Sequence, residues 1–180
     1  SCFPKDVNAL IHLSQEAGYD PVLLNSVEIV NHYQKTVLIR KLVSKMGPNL
    51  EGKNFCVWGL AFKPGTNDMR EASSIELIKF ICENGGKVNA YDPKAIEESK
   101  SYLKQYSSSI TYFNDKYQAL DQVDALFLVT EWKEFRSPNF NKMTKLMKNL
   151  LIFDGRNQYS ADLITKFGFE YEQIGVKSNS

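Results

Sequence analysis

Residues 54–91 read NFCVWGLAFKPGTNDMREASSIELIKFICENGGKVNAY. The opening seven residues are the kind of apolar run expected of a buried strand. Residues 73–84 read as a helix, opened by a Ser73-x-x-Glu76 capping box and stopped by Gly85-Gly86. Residues 87–91 form a second strand, ended by Asp92-Pro93. Strand, helix, strand in this order is a βαβ unit, and it predicts a parallel sheet with helices on its faces.

The alternation continues toward the C-terminus. Residues 93–106 read as helical, 110–113 as a short strand and 116–120 as a short helix. Residues 124–130 (DALFLVT) are a near-continuous apolar strand, as in a sheet covered on both sides. A helix over 140–149, a strand over 150–154, a helix over 161–167 and an edge strand over 169–174 complete the pattern. Upstream, a helix over 7–18 ends at Gly18, and Asp20-Pro21 reads as an N-cap followed by proline in the first turn. Leu24, Val27, Val30, Val37, Leu38 and Leu42 then recur at mostly helical spacing, with no Gly or Pro before Gly47-Pro48. The prediction is one helix of roughly 26 residues, about 39 Å long at 1.5 Å per residue. Such a helix links domains or packs on a second copy, and Val27, Val30, Val37 and Leu38 are the expected dimer seam. The fold class is therefore α/β: a long N-terminal helical segment (1–48) followed by a Rossmann-like parallel sheet domain (49–180).

The 180 residues carry 22 Lys+Arg and 21 Asp+Glu, a formal charge of +1. That balance removes any bulk electrostatic case for nucleic acid or an anionic membrane. The longest apolar run, Ala125 to Val129, is far short of a bilayer span. Cys2, Cys56 and Cys82 are an odd three without metal-ligand spacing, so neither a disulfide framework nor a metal site is expected. A cytoplasmic location is the default. The chain begins on Ser1, and a stretch so rich in chemistry at the very start reads as part of a longer polypeptide.

Ligands of open α/β sheets sit beyond the carboxyl ends of strands. Three segments lie there. Gly59–Arg70 is a glycine-containing loop with Lys63 and Arg70 as cations, suited to an anion but matching neither GxGxxG nor GxxxxGK. Phe153-Asp-Gly-Arg-Asn157 offers Arg156 to an anion, although on these residues alone a strand-ending turn with a surface Arg is the better explanation. Val129-Thr-Glu-Trp132 carries a Glu able to bind a hydroxyl and a Trp suited to packing. At the N-terminus, the Cys2 thiol with Lys5 and Asp6 close by has the composition of an activated nucleophile. Cys56 and Cys82 read as core.

Ser1-Cys-Phe-Pro-Lys-Asp6, Gly59-Leu-Ala-Phe-Lys-Pro-Gly-Thr-Asn-Asp-Met-Arg-Glu71, Tyr91-Asp-Pro93 and Phe153-Asp-Gly-Arg-Asn157 together resemble the UDP-glucose 6-dehydrogenase family, in family order and over nearly the whole chain. The resemblance implies an NAD-dependent, two-step oxidation of UDP-glucose to UDP-glucuronate that consumes two NAD. Cys2 would hold the intermediate as a thiohemiacetal and then a thioester, and Asp6 would assist water. Lys5 and Arg70 would lie near NAD, and Phe62, Lys63 and Arg156 would hold the UDP-sugar. The family's N-terminal NAD-binding domain is not in this chain, which resembles the central dimerisation helix and the C-terminal domain. Sister families oxidise GDP-mannose or UDP-N-acetylhexosamines, and the Cys-Phe-Pro-Lys-Asp and Lys63-Pro64 forms resemble the UDP-glucose branch. Ala72 departs from the Ser that often follows Arg-Glu. The alternative reading is a nucleotide-sugar-binding and dimerisation module without catalysis.

Overall fold

The computed structural model describes residues 2–177, with side chains from Lys5 onward. Strands β1 (Asn54–Trp58), β2 (Lys87–Tyr91), β3 (Ile110–Tyr112), β4 (Ala125–Leu128), β5 (Leu151–Asp154) and β6 (Glu170–Gln173) form one parallel sheet in the order β3-β2-β1-β4-β5-β6. The α/β class and parallel sheet expected from the alternating pattern are what the chain adopts. The order reverses between β1 and β4, so the crevice of a doubly wound sheet opens there, at the carboxyl ends.

Successive side chains of a strand point to opposite faces, and here both faces are buried. Phe55, Val57, Phe127 and Phe153 project to one side. There they meet helices α3 (Val37–Met46) and α4 (Ser73–Glu83) and the segment leading into α5 (Ile96–Tyr102). Cys56, Trp58, Leu126, Leu128 and Ile152 project to the other, against α6 (Phe140–Leu146) and α7 (Ala161–Lys166). The Phe127 and Phe153 rings stack at 4.6 Å, and Trp58 stacks on Phe135 at 5.1 Å. Each such ring fully buried stabilises the fold by roughly 1.5–3 kcal/mol. The indole N–H of Trp58 is not stranded, since it donates to the Lys116 carbonyl.

Several elements differ from expectation. The helix expected over 20–46 is two helices, α2 (Val22–Lys35) and α3, broken at Thr36. The Thr36 hydroxyl donates back to the Tyr33 carbonyl at 2.9 Å, and the Arg40 guanidinium donates to the same oxygen at 2.9 Å. These bonds occupy a carbonyl that an unbroken helix would reserve for the N–H of residue 37. Pro21, not Asp20, occupies the cap of α2, without a side-chain cap. Ser73 is the first helical residue of α4 behind Ala72, so the expected capping box does not form. The segment 93–106 contains only the short α5 before a 3-10 turn at Lys104–Ser109. Leu38, expected on a dimer seam, is 7% exposed and belongs to the sheet core with Leu42. Lys41 pairs with Glu172 at 2.9 Å, and Lys45 pairs with Glu170. Helix α3 is thereby fastened to the edge strand β6.

Helix α1 (Cys2–Glu16) packs on α2 and ends in the turn at Gly18, whose φ of 76° suits glycine. The two helices leave Leu10, Leu13, Leu23, Ile29, Val30 and Tyr33 between 52% and 77% exposed. No helix among the described residues is long and apolar enough to cross a membrane.

Where β1 leaves the sheet, Gly59 has φ 93°, and a Cβ there would lie 2.5 Å from the Thr130 Cβ and 2.6 Å from its backbone N. Gly175 also has positive φ, 78°, but faces open space. Gly175→Ala should cost about 1–2 kcal/mol from the backbone alone. Gly59→Ala should cost that plus the overlap with Thr130, roughly 1–3 kcal/mol more. Urea unfolding of both variants checks this, and equal losses would mean that the close approach is absent.

Candidate functional site

The site begins with a problem of backbone chemistry. Leu60 and Ala61 lie beyond the end of β1, buried, with four polar groups and no strand neighbour to receive them. Side chains from three other segments take all four. The Leu60 and Ala61 N–H groups donate to Asp92 Oδ2 at 2.7 and 3.2 Å. The Leu60 carbonyl accepts from the Ser74 hydroxyl at 2.5 Å, and the Ala61 carbonyl from the Thr130 hydroxyl at 2.5 Å. Asp92 is 2% exposed and accepts three further bonds. Lys94 and Ala95 N–H donate to Oδ1, both at 2.8 Å, and the Trp132 indole N–H donates to Oδ2 at 3.0 Å.

A second buried carboxylate does the same at the end of β5. Asp154, fully buried, accepts Arg156 N–H on Oδ1 at 2.8 Å. Its Oδ2 accepts Gln158 N–H at 2.8 Å and the Tyr171 hydroxyl at 2.6 Å. Burial first, and then that bond to an anion, push the Tyr171 phenol far up, so it remains a donor. Asn157, with φ 50°, holds the loop from its other side. Its amide donates to the Ile174 carbonyl at 3.0 Å and accepts Ile174 N–H at 2.9 Å.

Between these two loops and α2 lies a cleft of about 300 Å³. Phe62 and Val129 line it from the ends of β1 and β4, and Gly155 and Arg156 from the end of β5. Glu28, Asn31 and Lys35 line it from α2, spaced so that they share one helical face. Gly155 lets the floor run close, since a Cβ there would lie 3.0 Å from both the Leu128 carbonyl and Leu38 Cδ1. Carboxylates hold the cations of the cleft: Arg156 pairs with Glu131, and Lys35 with Glu71. Glu71 has φ 62°, a backbone state that side chains other than Asn and Asp seldom adopt. One oxygen of Glu28 is buried without a hydrogen-bond partner among the described residues. A concave site with an apolar ring, two cations and hydrogen-bonding amides suits an anionic ligand that also carries a flat or hydroxylated part.

Of the residues singled out by sequence, Phe62 and Arg156 line this one cleft. Lys63 is exposed and does not line it, but its ammonium sits 5.0 Å over the Phe62 ring. Arg70 lines a separate shallow groove with Asn67 and Glu98, its guanidinium held by Asp68 at 2.7 Å. Lys5 and Asp6 are exposed on α1 and do not line the cleft. The Cys2 side chain lies outside the described residues. Burial and the nearby Glu83 raise the half-buried Cys82 thiol to about 11, and burial raises Cys56 well above its ordinary value. Neither is a thiolate at neutral pH. Trp132 is buried, in keeping with a packing role. No group of three or more metal-ligating side chains occurs among the described residues.

Sequence reasoning missed Asp92, Asp154, Lys35 and Glu71 as parts of the site. The two aspartates carried a readable signal: each ends a strand and precedes Pro or Gly, where a short carboxylate commonly caps the turn that follows. Glu71 ends the Gly59–Glu71 motif that carries the family resemblance, but no role was read for it, and Lys35, a surface-type residue 36 positions earlier, carried no signal.

The family described as "UDP-glucose/GDP-mannose dehydrogenase family, UDP binding domain" matches residues 56–161. The chain is 41% identical over 180 residues to the UDP-glucose 6-dehydrogenase of Pseudomonas aeruginosa, covering 97% of this chain and 39% of that protein. It is 37% identical over 175 residues to the UDP-glucose 6-dehydrogenase TuaD of Bacillus subtilis, covering 97% of this chain and 37% of that one. It thus spans less than half the length of these relatives. Among solved structures, a UDP-glucose dehydrogenase from the hyperthermophilic archaeon Pyrobaculum islandicum superposes with a TM-score of 0.76 at 31% identity, over 96% of this chain and 36% of that chain. The family match covers more than half of the residues and includes the β1, β4 and β5 ends that line the cleft, so the chain belongs to the UDP-glucose/GDP-mannose dehydrogenase family and carries its UDP-binding domain.

Proposed function

We propose that this chain is the substrate-holding part of a UDP-glucose 6-dehydrogenase, an NAD-dependent enzyme that oxidises the sugar C6 alcohol to a carboxylate. The observation that carries the reading is the cleft at the carboxyl ends of β1, β4 and β5, with Phe62 and Arg156 on one rim and α2 on the other. Arg156 takes the diphosphate of the substrate, exchanging its pair with Glu131 for phosphate oxygens. Lys63, held over the Phe62 ring outside the cleft lining, adds a further cation beside Phe62. Asn31 and Glu28 offer an amide and a carboxylate to the base, the ribose or the sugar.

The Cys2 thiolate adds to the aldehyde-level carbon, giving a thiohemiacetal, and after the second oxidation a thioester joins sulfur to the sugar carbon. Asp6, one helical turn from Cys2 on α1, orients the water whose oxygen replaces sulfur as the thioester is cleaved. NAD supplies the hydride acceptor for both oxidations. Lys5 and Arg70, both exposed cations, fit the edge of a site for an anionic dinucleotide. No GxGxxG occurs in these 180 residues, so the chain by itself binds the sugar nucleotide without turning it over.

The exposed apolar row on α1 and α2 supports a homodimer formed through these helices. Sedimentation equilibrium is expected to give a dimer that Val30→Lys converts to monomer. A wild-type monomer at high micromolar concentration contradicts it.

Calorimetry with UDP tests the binding reading. Each charge-assisted contact contributes roughly 1.5–3 kcal/mol, so Arg156→Ala should raise the Kd at least about tenfold. Lys63→Ala, at a more exposed position, should raise it by roughly 3–10-fold. The chain mixed with NAD and UDP-glucose should release no NADH, whereas the longer parent should release it and lose complete turnover with Cys2→Ala. Unchanged UDP affinity in both binding variants contradicts the reading.

A further inference from the structure

We infer that Asp92 is a positioning residue for the substrate site, a buried carboxylate that sets where the Phe62–Lys63 loop leaves the sheet and ties that loop to its neighbour on β4. The inference rests on the reading of the cleft as a UDP site and adds to it a residue that contacts no ligand itself.

Asp92 receives five N–H donors, and they come from three different strand-end loops: Leu60 and Ala61 after β1, Lys94 and Ala95 after β2, and Trp132 after β4. Two bonds from its own turn fix the carboxylate, and that fixed group then holds the other two loops. The residue after Ala61 is Phe62, whose N–H closes the loop onto the Asp68 carbonyl at 3.0 Å. The residue before Trp132 is Glu131, which pairs with Arg156 across the cleft. One carboxylate at 2% exposure therefore lies one residue behind Phe62 and one behind the partner of Arg156. Helix, strand and turn geometry do not by themselves satisfy Leu60 and Ala61, so this carboxylate on their N–H groups, with the Ser74 and Thr130 hydroxyls on their carbonyls, sets the course of the backbone there.

An amide cannot replace it. All five partners are donors, and Asn offers one acceptor oxygen and an NH₂ that is itself a donor. Whichever way the amide turns, two N–H groups face either Leu60, Ala61 and Trp132 or Lys94 and Ala95. One set of bonds is lost and the loop that relied on it shifts. Trp132→Phe is gentler, because it removes one donor and keeps the carboxylate and an aromatic ring, though one smaller than the buried indole.

The test is a double-mutant cycle on the 180-residue chain, read as UDP affinity by calorimetry, with near-UV circular dichroism to confirm native packing. Asp92→Asn should raise the Kd about tenfold or more, and Trp132→Phe about 2–5-fold. In the Lys63→Ala background either variant should add less than half of its own factor, because the cation it positions is already gone. Should Asp92→Asn fail to fold, Trp132→Phe alone decides by the same criterion. Full additivity with Lys63→Ala, or unchanged affinity in the folded variants while Lys63→Ala weakens binding, overturns the positioning role and leaves the UDP site standing. Lys63→Ala and Arg156→Ala both without effect overturns the UDP site itself, and this inference with it.

Discussion

A strand in the middle of a parallel sheet has every backbone group paired until it ends, and at its end those groups are still deep in the protein. That constraint governs this fold at the ends of β1 and β5. Leu60 and Ala61 are 0% and 1% exposed, so water cannot take their N–H and carbonyl groups. An unpaired buried donor or acceptor costs about 1–3 kcal/mol, and four of them would offset a large part of a domain's net stability of roughly 5–15 kcal/mol. Asp92, Ser74 and Thr130 remove that cost together. The same side chains then dictate the course of the chain beyond the sheet. Stability and site geometry are thus set by one group of hydrogen bonds.

The second determinant is the interruption at Thr36. A straight helix from Val22 to Met46 could not serve both of the surfaces seen here. After the break, α3 lays Leu38 and Leu42 on the sheet, and its lysines reach β6. Before the break, α2 presents Glu28, Asn31 and Lys35 to the cleft and leaves Ile29 and Val30 outward. The Lys35–Glu71 pair spans from α2 to the loop before α4, so the helical wall is linked to the loop that also carries Phe62 and Lys63. The cleft is consequently a joint product of the sheet and of a helix outside it.

How much of this was legible depended on whether each feature leaves a trace in local sequence. Apolar runs such as ALFL at 125–128 are unambiguous because a strand buried on both faces tolerates little else. Strand positions and the parallel class followed from them. The break at Thr36 left no trace, because Thr and Arg are acceptable helix residues and only their competition for the Tyr33 carbonyl makes them disruptive. Leu38 looked like part of an outward seam because periodicity defines a helical face without saying what that face meets. Of the residues that line the cleft, Arg156 was singled out by its position after a strand and by the family resemblance, and Phe62 by the resemblance alone. Asp92 and Asp154 were visible as strand-ending punctuation and as members of motifs that carry the resemblance, but not by role, since most of the partners that give them their role are backbone N–H groups, which every residue but proline possesses.

The central claim is that the uridine diphosphate group lies in the cleft between α2 and the carboxyl ends of β1, β4 and β5. Titration of ¹⁵N-labelled chain with UDP, followed by amide chemical shifts, tests it most directly. The account predicts that the largest shifts fall on Phe62, Lys63, Gly155 and Arg156, with smaller ones on Asn31 and Lys35, while Lys87 at the amino end of β2 stays still. Largest shifts in the groove around Asn67 and Arg70, or at the amino ends of the strands, would contradict it.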